Sequence, residues 1–292
     1  MPQINCPVND GNTNFCPWQP RKGFVRDAPD VGVKDCEKCG LVTSDRDLSE
    51  IVNYEDGSMH NWASRYEELT LEKVQSDILR RVTLIRQLTE TFKSKSLLDF
   101  GCGNGEMLSA FREDVQVFGI EPDREARTKC TSQGHQVWES AEEATHTNIR
   151  FDVVTLFHVV EHFYDPVKEL TLIRSLLQPG GLLVIETPSA DDALLTKYDS
   201  EDFQNFTYWS HHPMLHSKKS LEALLIKSGF QIAESRGVQR YGLANHLYWL
   251  SHGKPGGHKI WSELFSQSSE VSYESDLAKA GFADTLWVVG KA

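Results

Sequence analysis

The sequence predicts an α/β fold in which a parallel sheet is covered by helices on both faces. From residue 96 onward, short apolar runs alternate with segments of helical periodicity. Strands and helices that alternate at this spacing form parallel sheets. A glycine-rich turn directly follows the first apolar run, at the edge where open sheets of this kind bind ligands. The length of 292 residues suggests one large domain with small additions.

The predicted elements follow one another regularly along this region. The predicted strands are residues 96–101, 115–121, 135–138, 151–157, 182–187, 231–238 and 285–289. The predicted helices are residues 106–113, 124–133, 166–177 and 218–227, and Ser217 is a good N-cap for the last of them. A turn at residues 178–181 (QPGG) is expected to end the third helix. The segment from about 241 to 281 is longer than a turn requires, so we expect it to be helical and functional.

The composition restricts the classes of protein to which the chain can belong. Its 42 acidic and 30 basic residues leave a formal net charge of −12, which argues against a protein that grips nucleic-acid phosphates. No apolar run approaches the roughly 20 residues that a membrane span requires, and the first residues resemble no secretion signal. We therefore expect no membrane contact and a reducing cytoplasm, where the six cysteines are metal ligands or free thiols.

The chain is predicted to have three parts. Residues 1–60 are expected to form a small, irregular, cysteine-rich module, because they contain many prolines and show no sustained periodicity. Residues 61–95 are expected to contain an amphipathic helix that serves as a lid or linker. Its apolar positions recur at steps of three and four, at Leu71, Val74, Ile78, Val82, Ile85 and Leu88. Residues 96–292 form the main domain, with an insertion at about 203–281.

The cysteines of the first part suggest a structural zinc site. Cys36 and Cys39, followed by glycine, form half of a zinc knuckle, whereas Cys6 begins a similar pair that has Asn9 in place of its second cysteine. Cys16 is the obvious substitute for the missing ligand. Four thiolates at these positions would close a tetrahedral site and order a region that lacks a hydrophobic core. Four free thiols are the alternative. Cys102 and Cys130 resemble small core residues.

The turn after the first predicted strand indicates a nucleoside cofactor without phosphates. It has the spacing G-x-G-x-G at Gly101, Gly103 and Gly105, two residues after Asp99. Glu106 stands where the dinucleotide fingerprint has its third glycine, and a carboxylate there would repel a pyrophosphate. An acid that ends the second strand, here Glu121, is suited to holding ribose hydroxyls. A glycine turn that only packs a helix on a strand is the alternative.

At these residues the sequence resembles the class I S-adenosylmethionine-dependent methyltransferases, whose first motif is an acid followed by G-x-G-x-G. The resemblance covers roughly residues 96–230. It implies a Rossmann-like sheet and S-adenosylmethionine as the cofactor. It also implies that the main domain is the methyltransferase domain and that its insertion binds the methyl acceptor. The implied cofactor-binding residues are Asp99, Gly101, Cys102, Gly103, Gly105, Glu121, Pro122, Ser140, Ala141, Phe157 and His158.

Residues 158–162 (HVVEH) allow several interpretations. In the family such a stretch follows the fourth strand and borders both cofactor and acceptor. His158, Glu161 and His162 also match the H-x-x-E-H signature of zinc peptidases, which requires a helix. Ubiquinone-pathway O-methyltransferases place E-x-x-E-H here and suggest a catalytic divalent metal, but this chain has His158 for the first glutamate, and Mg²⁺ prefers oxygen ligands. A structural loop near the site is the remaining possibility.

The acceptor side is predicted to follow the fifth strand. Residues 207–216 contain three histidines and two large aromatic residues. A histidine titrates near neutrality and is suited to removing a hydroxyl proton during methyl transfer. The candidate catalytic residues are His212, which we favour slightly, His211 and His162. The candidate substrate-binding residues, suited to stacking on a sugar ring and bonding its hydroxyls, are Tyr208, Trp209, Tyr241, Asn245 and His246.

These features favour a methyltransferase that acts on a hydroxyl of a sugar, a nucleotide-linked sugar or a glycan precursor. The cysteine-rich first part also resembles a zinc module of some sugar-modifying methyltransferases. Methylation of a phenolic, quinone-like or carboxylate metabolite is the alternative, and methylation of nitrogen or carbon is also open. A tRNA or rRNA substrate is disfavoured by the acidic balance. A zinc-binding scaffold without activity is disfavoured by the intact glycine turn and Glu121.

Overall fold

The computed structural model describes residues 6–8, 16–49, 52, 67–89, 96–113 and 115–292. The chain divides into two compact units. The first unit comprises Met1–Val52, His158–Glu169 and Ile185–Gly290, and the second comprises Asn53–Phe157, Leu170–Val184 and Lys291–Ala292. None of the described helices is long and apolar enough to cross a membrane.

The strands and helices are numbered in chain order. The strands are β1 Trp18–Val25, β2 Ala28–Cys36, β3 Val42–Ser44, β4 Ser96–Phe100, β5 Gln116–Ile120, β6 Gln136–Trp138, β7 Phe151–Phe157, β8 Leu177–Pro188, β9 Met214–Leu215, β10 Gln231–Val238 and β11 Thr285–Lys291. The α-helices are α1 Glu67–Thr89, α2 Glu106–Phe111, α3 Arg124–Ser132, α4 Ala141–Thr145, α5 Pro166–Leu176, α6 Ala193–Thr196, α7 Glu201–Thr207, α8 Lys218–Lys227, α9 Leu243–His252, α10 Gly257–Ile260 and α11 Gln267–Ala280. A short 3₁₀ turn covers Val160–His162.

A seven-stranded sheet has the strand order β10-β11-β8-β7-β4-β5-β6. Strand β4 pairs in parallel with β5 and β7, so Leu98 lies opposite Phe118 on one side and Val154 on the other. The apolar residues of β4 and β7 are almost fully buried, which is characteristic of strands covered on both faces. The predicted α/β fold with a parallel sheet and flanking helices is therefore confirmed.

The strands of this sheet begin and end close to the predicted residues, except at residues 178–181. Strands β7 and β10 have the predicted bounds, and Ser217 caps α8 by accepting a hydrogen bond from Ser220 N–H. The predicted turn at residues 178–181 is wrong, because β8 begins at Leu177. Gly180 N–H donates to the carbonyl of Ala292, and Ala292 N–H donates to the carbonyl of Gly181. Pairing with the end of the chain thus extends the strand through a segment that looks like a turn.

A separate antiparallel sheet has the order β1-β2-β3-β9. The expected irregular structure is therefore wrong for residues 18–44, where β1 and β2 form a hairpin and β3 follows. Strand β1 has polar residues on both faces, so its sequence carries no alternating pattern. The core of this sheet includes Val31, Val33, Val42 and Leu215. Leu215 belongs to β9, which pairs with β3 and is distant along the chain, so the first 60 residues alone could not show this core.

The amphipathic helix predicted between residues 61 and 95 is present as α1. Val82 and Ile85, two of its predicted apolar positions, are 6% and 2% exposed. Residues 61–66 of that prediction lie outside the described part of the chain, as do residues 90–95. The long segment that follows β10 is helical as expected, with α9, α10 and α11.

Candidate cofactor site and histidine cluster

The glycine loop between β4 and α2 has the conformation that a close-approaching ligand requires. Gly101, Gly103 and Gly105 all have positive φ, at 76°, 53° and 83°. A Cβ atom added to Gly103 would meet no other atom within 4 Å, so open space lies in front of the loop. Glycine is needed here for the backbone conformation and not to avoid a protein side chain. The alternative of a turn that only packs a helix on a strand does not explain this space.

Glu121 fastens the glycine loop from the end of β5. Its carboxylate accepts hydrogen bonds from Gly103 N–H at 2.8 Å and from Asp123 N–H at 2.9 Å. The side chain is 7% exposed. The residue predicted to bind the ribose therefore also shapes the loop.

Asp99 is a buried carboxylate near the end of β4, with 3% of its surface exposed. Thr155, on β7, donates its hydroxyl to Asp99 Oδ1 at 2.6 Å. Burial raises the pKa of Asp99 to about 7, and the nearby carboxylates of Glu121 and Glu106 act in the same direction. The Thr155 hydroxyl and the positive charge of Arg81 oppose this rise. A carboxylate that is costly to ionise is stabilised when a cation binds beside it.

The remaining predicted cofactor residues of the second unit have clear structural surroundings. Ser140 caps α4 by accepting a hydrogen bond from Glu143 N–H, and Ala141 is buried in the first turn of that helix. Phe157 ends β7, and the guanidinium of Arg81 lies 4.5 Å above its ring. The Pro122 carbonyl accepts a hydrogen bond from Arg127 at 2.8 Å.

Cys102 and Cys130 are core residues, as predicted. They pack with Leu108 in one buried cluster, so any contact of Cys102 with a cofactor would come from its backbone. A Cβ on Gly119 would lie 2.6 Å from Cys102 Sγ, which explains the glycine in the middle of β5.

The donor set in the second unit fits S-adenosylmethionine. Open space in front of Gly103 admits a ligand against the backbone, and Glu121 and Asp99 provide carboxylates for hydroxyl and cationic groups. Glu106 begins α2 directly after the loop. Its carboxylate would repel a pyrophosphate bound at this helix end.

His158 is the first residue of a polar cluster in the first unit. It has a φ of 57°, a left-handed conformation that is uncommon for a residue with a side chain. Its Nε2 accepts a hydrogen bond from Arg240 at 2.9 Å, because a guanidinium can only donate. Its Nδ1 therefore carries the proton and lies 3.3 Å from Glu161 Oε1. Arg240 was not predicted, since 82 residues separate it from His158 along the chain.

Glu161 is a fully buried carboxylate in this cluster. Its Oε2 accepts the hydroxyl proton of Thr187 at 2.9 Å, whereas Oε1 has no hydrogen bond of good geometry. Burial alone would raise the pKa of Glu161, but the close contact with His158 and the nearby histidines together hold it well below its usual range. Glu161 is therefore a buried anion, which interacts strongly with any positive charge beside it.

Two of the three predicted catalytic histidines, His162 and His212, lie close to Glu161. One ligand atom of Glu161, one of His162 and one of His212 lie within 4.8 Å of one another. The rings of His162 and His212 meet edge to face, with centroids 4.8 Å apart. Burial lowers the pKa of His212 to about 3, and the adjacent His162 adds to this effect, whereas Glu161 opposes it. His212 is consequently neutral at physiological pH and able to accept a proton.

Two metal interpretations of residues 158–162 can be judged from this geometry. The zinc peptidase signature is not realised, because His158 follows a strand with left-handed backbone and only Val160–His162 are helical. Glu161, His162 and His212 would offer one oxygen and two nitrogen atoms to a divalent cation. This donor set does not fit Mg²⁺, which prefers oxygen ligands.

Comparison with known proteins identifies the family to which the chain belongs. A family model described as a methyltransferase domain matches residues 71–235, more than half of the chain. The chain belongs to the class I, S-adenosylmethionine-dependent methyltransferases. The family model and the fold support this assignment together, since the matched region contains the glycine loop, Glu121 and the histidines at 158 and 162.

Several curated relatives of this methyltransferase are named ubiquinone biosynthesis O-methyltransferase. The protein of Aeromonas salmonicida is 31% identical over 150 residues, which cover 48% of this chain and 62% of the relative. The protein of Cereibacter sphaeroides is 38% identical over 104 residues, which cover 33% of this chain and 42% of the relative. The chain thus spans less than two thirds of the length of these relatives.

Solved structures share the fold of the methyltransferase at low sequence identity. A SAM-dependent methyltransferase from Archaeoglobus fulgidus aligns with a TM-score of 0.51 and 20% identity, over 78% of this chain and 100% of that one. The plantazolicin methyltransferase BpumL, solved in complex with SAH, aligns with a TM-score of 0.53 and 15% identity. That alignment covers 81% of this chain and 90% of the BpumL chain.

The predicted substrate residues of the methyltransferase lie in different surroundings. Trp209 stacks on His211, with ring centroids 4.3 Å apart, and so adjoins the histidine cluster. Tyr208 is 5% exposed and belongs to the core of the antiparallel sheet. Tyr241 lies beside His258, with ring centroids 5.6 Å apart. Trp209 thus lies beside His211 and His212, whereas the histidine beside Tyr241 is His258.

Asn245 and His246 are buried in α9. The side-chain oxygen of Asn245 accepts a hydrogen bond from Gly256 N–H at 3.3 Å. His246 contacts the Gln239 amide at 3.1 Å and the Tyr273 hydroxyl at 2.9 Å. These contacts give both residues a structural role, and their role in substrate binding stays a prediction.

The four N-terminal cysteines converge in one buried cluster. All four are at most 7% exposed, and they pack with Leu41 and Met214. The Sγ atoms of Cys6 and Cys39 are 3.7 Å apart, and those of Cys6, Cys16 and Cys36 lie within 4.8 Å of one another. Tetrahedral zinc with Zn–S bonds of about 2.3 Å would place its sulfur atoms roughly 3.8 Å apart. The cluster therefore fits a four-thiolate zinc site.

Proposed function

We propose that this methyltransferase transfers the methyl group of S-adenosylmethionine to a phenolic hydroxyl of a small aromatic, quinone-related metabolite. The observation that carries the proposal is the cluster of Glu161, His162 and His212, which combines a neutral imidazole with a buried carboxylate. The names of the curated relatives support a phenolic or quinone-like acceptor over a sugar.

The cofactor would be held by residues of the second unit. Gly103 leaves space for it against the backbone, Glu121 would accept its ribose hydroxyls, and Asp99 would balance its positive charge. When bound, S-adenosylmethionine supplies a methyl group activated by attachment to a sulfonium.

His212 is the proposed general base. Burial lowers the pKa of the His212 ring and keeps it neutral in the free protein, whereas the Glu161 carboxylate opposes this lowering and favours transfer of the acceptor's hydroxyl proton to a ring nitrogen. The carboxylate of Glu161 lies close enough to stabilise the imidazolium that forms, at a distance within 4.8 Å of the His212 ligand nitrogen. His162 and Glu161 thus orient and charge-balance the base.

The acidity of the acceptor separates the two predicted substrate classes. A phenol has a pKa of about 10, as for tyrosine, and an alkyl hydroxyl of a sugar is a much weaker acid. Because burial lowers the pKa of His212, proton transfer to it costs less from the more acidic phenol than from a sugar alcohol. The stacked pair of Trp209 and His211 beside the base also offers a flat surface for an aromatic ring. The sugar acceptor stays a prediction with less support.

The cysteine cluster is proposed to hold one structural zinc ion. Cys6, Cys16, Cys36 and Cys39 would be its ligands, which gives a closed site without a position for substrate. Its role would be to stabilise the antiparallel sheet, since Cys36 ends β2 and Cys39 lies in the turn before β3.

The test of the base is substitution of His212 by glutamine, with 3,4-dihydroxybenzoate as the acceptor probe. We expect kcat to fall by roughly 100-fold, because general-base catalysis contributes about this much, while the affinity for S-adenosylmethionine remains unchanged. His146→Gln, in the second unit, is the control and should have no effect. Full activity of His212→Gln would refute the base, and a wild type that binds the cofactor but methylates only sugar alcohols would refute the phenolic acceptor.

A further inference from the structure

The β1–β2 hairpin contacts the histidine loop, which we define as residues 208–212 within the first unit. Asp27 lies in the turn of this hairpin, and its Oδ1 accepts a hydrogen bond from Ser210 N–H at 3.0 Å. Its Oδ2 accepts the hydroxyl proton of Ser210. Ser210 is 2% exposed, whereas Asp27 is exposed at the surface, so the bonds are shielded from water at the Ser210 end. Asp27 thereby holds the residue that precedes the two candidate bases His211 and His212.

The bond to Asp27 determines the direction of the next hydrogen bond. The Ser210 hydroxyl has a single proton, which it gives to the Asp27 carboxylate. In its 3.2 Å contact with His211 Nδ1, the Ser210 oxygen can therefore only accept. The proton of that bond must be on Nδ1. The neutral form of the His211 ring is thus held in the tautomer that carries its proton on Nδ1.

The backbone of His211 contacts the Glu161 cluster, whichever of its ring nitrogens carries the proton. Its carbonyl accepts a hydrogen bond from His162 Nδ1 at 2.6 Å, and a carbonyl can only accept. His162 therefore also carries a proton on Nδ1, and its ring packs edge to face against His212. A chain of contacts thus connects Asp27 to Ser210, His211 and His162, and it ends at the proposed base.

The β1–β2 hairpin and the neighbouring strand β3 also contact the histidine loop and the residues beside it. Arg26 N–H donates to the Tyr208 carbonyl at 2.9 Å, and the Arg26 guanidinium donates to the Phe206 carbonyl at 3.0 Å while lying 4.4 Å above the ring of Trp209. Thr43, on β3, donates its hydroxyl to the Pro213 carbonyl at 2.8 Å. These bonds fix the backbone of the loop, whereas the Asp27–Ser210 pair is the one that determines a side-chain proton position.

We infer that Asp27 is a positioning residue for methyl transfer, which acts through Ser210 to fix the protonated nitrogen of His211 and the placement of His162 and His212. This inference rests on the proposed function, in which His212 is the base. It assigns the N-terminal hairpin a role in the reaction, although none of its residues belongs to the family's cofactor motif.

The Asp27→Asn variant changes the hydrogen bonding of this side chain and leaves its packing almost unaltered, because aspartate and asparagine have nearly the same shape. Ser210 N–H can only donate, so the oxygen of the introduced amide must face it and the amide NH₂ must face the Ser210 hydroxyl. The hydroxyl would then accept from the amide and donate to His211 Nδ1. The proton of the neutral His211 ring should consequently move from Nδ1 to Nε2.

The experiment is long-range ¹H–¹⁵N NMR of the full chain labelled with ¹⁵N-histidine, with His211→Gln used to assign the signal. We expect a protonated Nδ1 on His211 in the wild type and a protonated Nε2 in Asp27→Asn, whereas Ser210→Ala should abolish the preference. The control is Asp30→Asn, which changes an exposed acid of the same hairpin that pairs with Arg46. An unchanged His211 signal in Asp27→Asn would overturn the inference.

The kinetic part uses S-adenosylmethionine and 3,4-dihydroxybenzoate. For Asp27→Asn we expect kcat to fall about tenfold with unchanged cofactor affinity, and Asp30→Asn should behave as the wild type. Unchanged kcat in a variant whose His211 proton has moved would also overturn the inference. Absence of turnover by the wild type would reject the proposed acceptor, and the NMR result would still decide whether Asp27 controls His211.

Discussion

At the scale of single residues, Asp99 makes cofactor binding depend on pH. Its pKa is about 7 in the free protein because of burial, so near neutrality it is only partly ionised. A cationic ligand favours the ionised form, and binding therefore releases a proton from Asp99. Affinity for S-adenosylmethionine should rise as pH increases through about 7 and decline as pH falls below it.

We expect the affinity of the wild type to increase about tenfold between about pH 6 and pH 8, measured by titration calorimetry. The Asp99→Asn variant should bind more weakly and lose this part of the pH dependence. The ligand ionises equally in both titrations, so its own contribution to the pH dependence of the affinity cancels when the two proteins are compared. Parallel pH profiles for wild type and variant would show that Asp99 does not face the cofactor's charge.

Glu121 has two tasks, since it fastens Gly103 and is the predicted ribose ligand. Glu121→Gln retains the shape but replaces one acceptor oxygen by a donor, which conflicts with the N–H groups of Gly103 and Asp123. We expect cofactor affinity to fall at least about tenfold, measured by the same titration. Glu125→Gln, on the exposed face of α3, should leave affinity unchanged. If both variants bound the cofactor with equal affinity, Glu121 would not be a cofactor-binding residue.

At the scale of secondary-structure elements, the turn from β4 to α2 combines a left-handed backbone with open space. Gly103→Ala would cost about 1 kcal/mol of unfolding free energy for its positive φ. The new methyl group would also point into the space assigned to the ligand. We expect slightly reduced thermal stability and a large loss of cofactor affinity.

Gly134→Ala is a matched control for this prediction. Gly134 has a φ of 85° in the connection between α3 and β6, and a Cβ there also meets no atom within 4 Å. Its backbone cost should be similar, so thermal stability should fall equally while cofactor affinity stays normal. If Gly103→Ala bound the cofactor as well as Gly134→Ala, the open space would not be the cofactor site.

At the scale of the whole molecule, the proposed zinc couples metal content to stability. Metal analysis of purified protein should find about one zinc per chain, and Cys36→Ser with Cys39→Ser should lose it. Chelation should lower the melting temperature of the wild type, because metal binding adds to the free energy of folding. Cys130→Ser, which changes a core cysteine of the second unit, is the control and should retain zinc. A wild type without metal that melts at the same temperature in chelator would refute the zinc site.

Local patterns along the chain were sufficient to predict the parallel sheet, most of its helices and the glycine loop. Strand β7 and helix α8 could be bounded closely because burial on both faces and an N-cap serine leave marks in consecutive residues. Gly101, Gly103 and Gly105 could be identified because a backbone near a ligand requires glycine at fixed steps.

Contacts between residues far apart along the chain could not be predicted in this way. Strand β1 was missed because its stability comes from pairing with β2 and from the core that β9 completes, and no periodic pattern within β1 shows this. Arg240 beside His158 and Asp27 beside Ser210 were missed for the same reason, since 82 and 183 residues separate the partners.

Short motifs in the sequence thus indicate the kinds of chemistry available to this protein. They are a carboxylate, a glycine loop, an acid at the next strand end and a run of histidines. The arrangement that makes the histidines useful arises only in the folded chain. The surrounding histidines keep Glu161 ionised, burial keeps His212 neutral, and the N-terminal hairpin orients the loop that carries His211. Both effects depend on which distant residues fold against each other, and a hydrogen bond or ion pair between such residues has no signature in the residues adjacent to either partner along the chain.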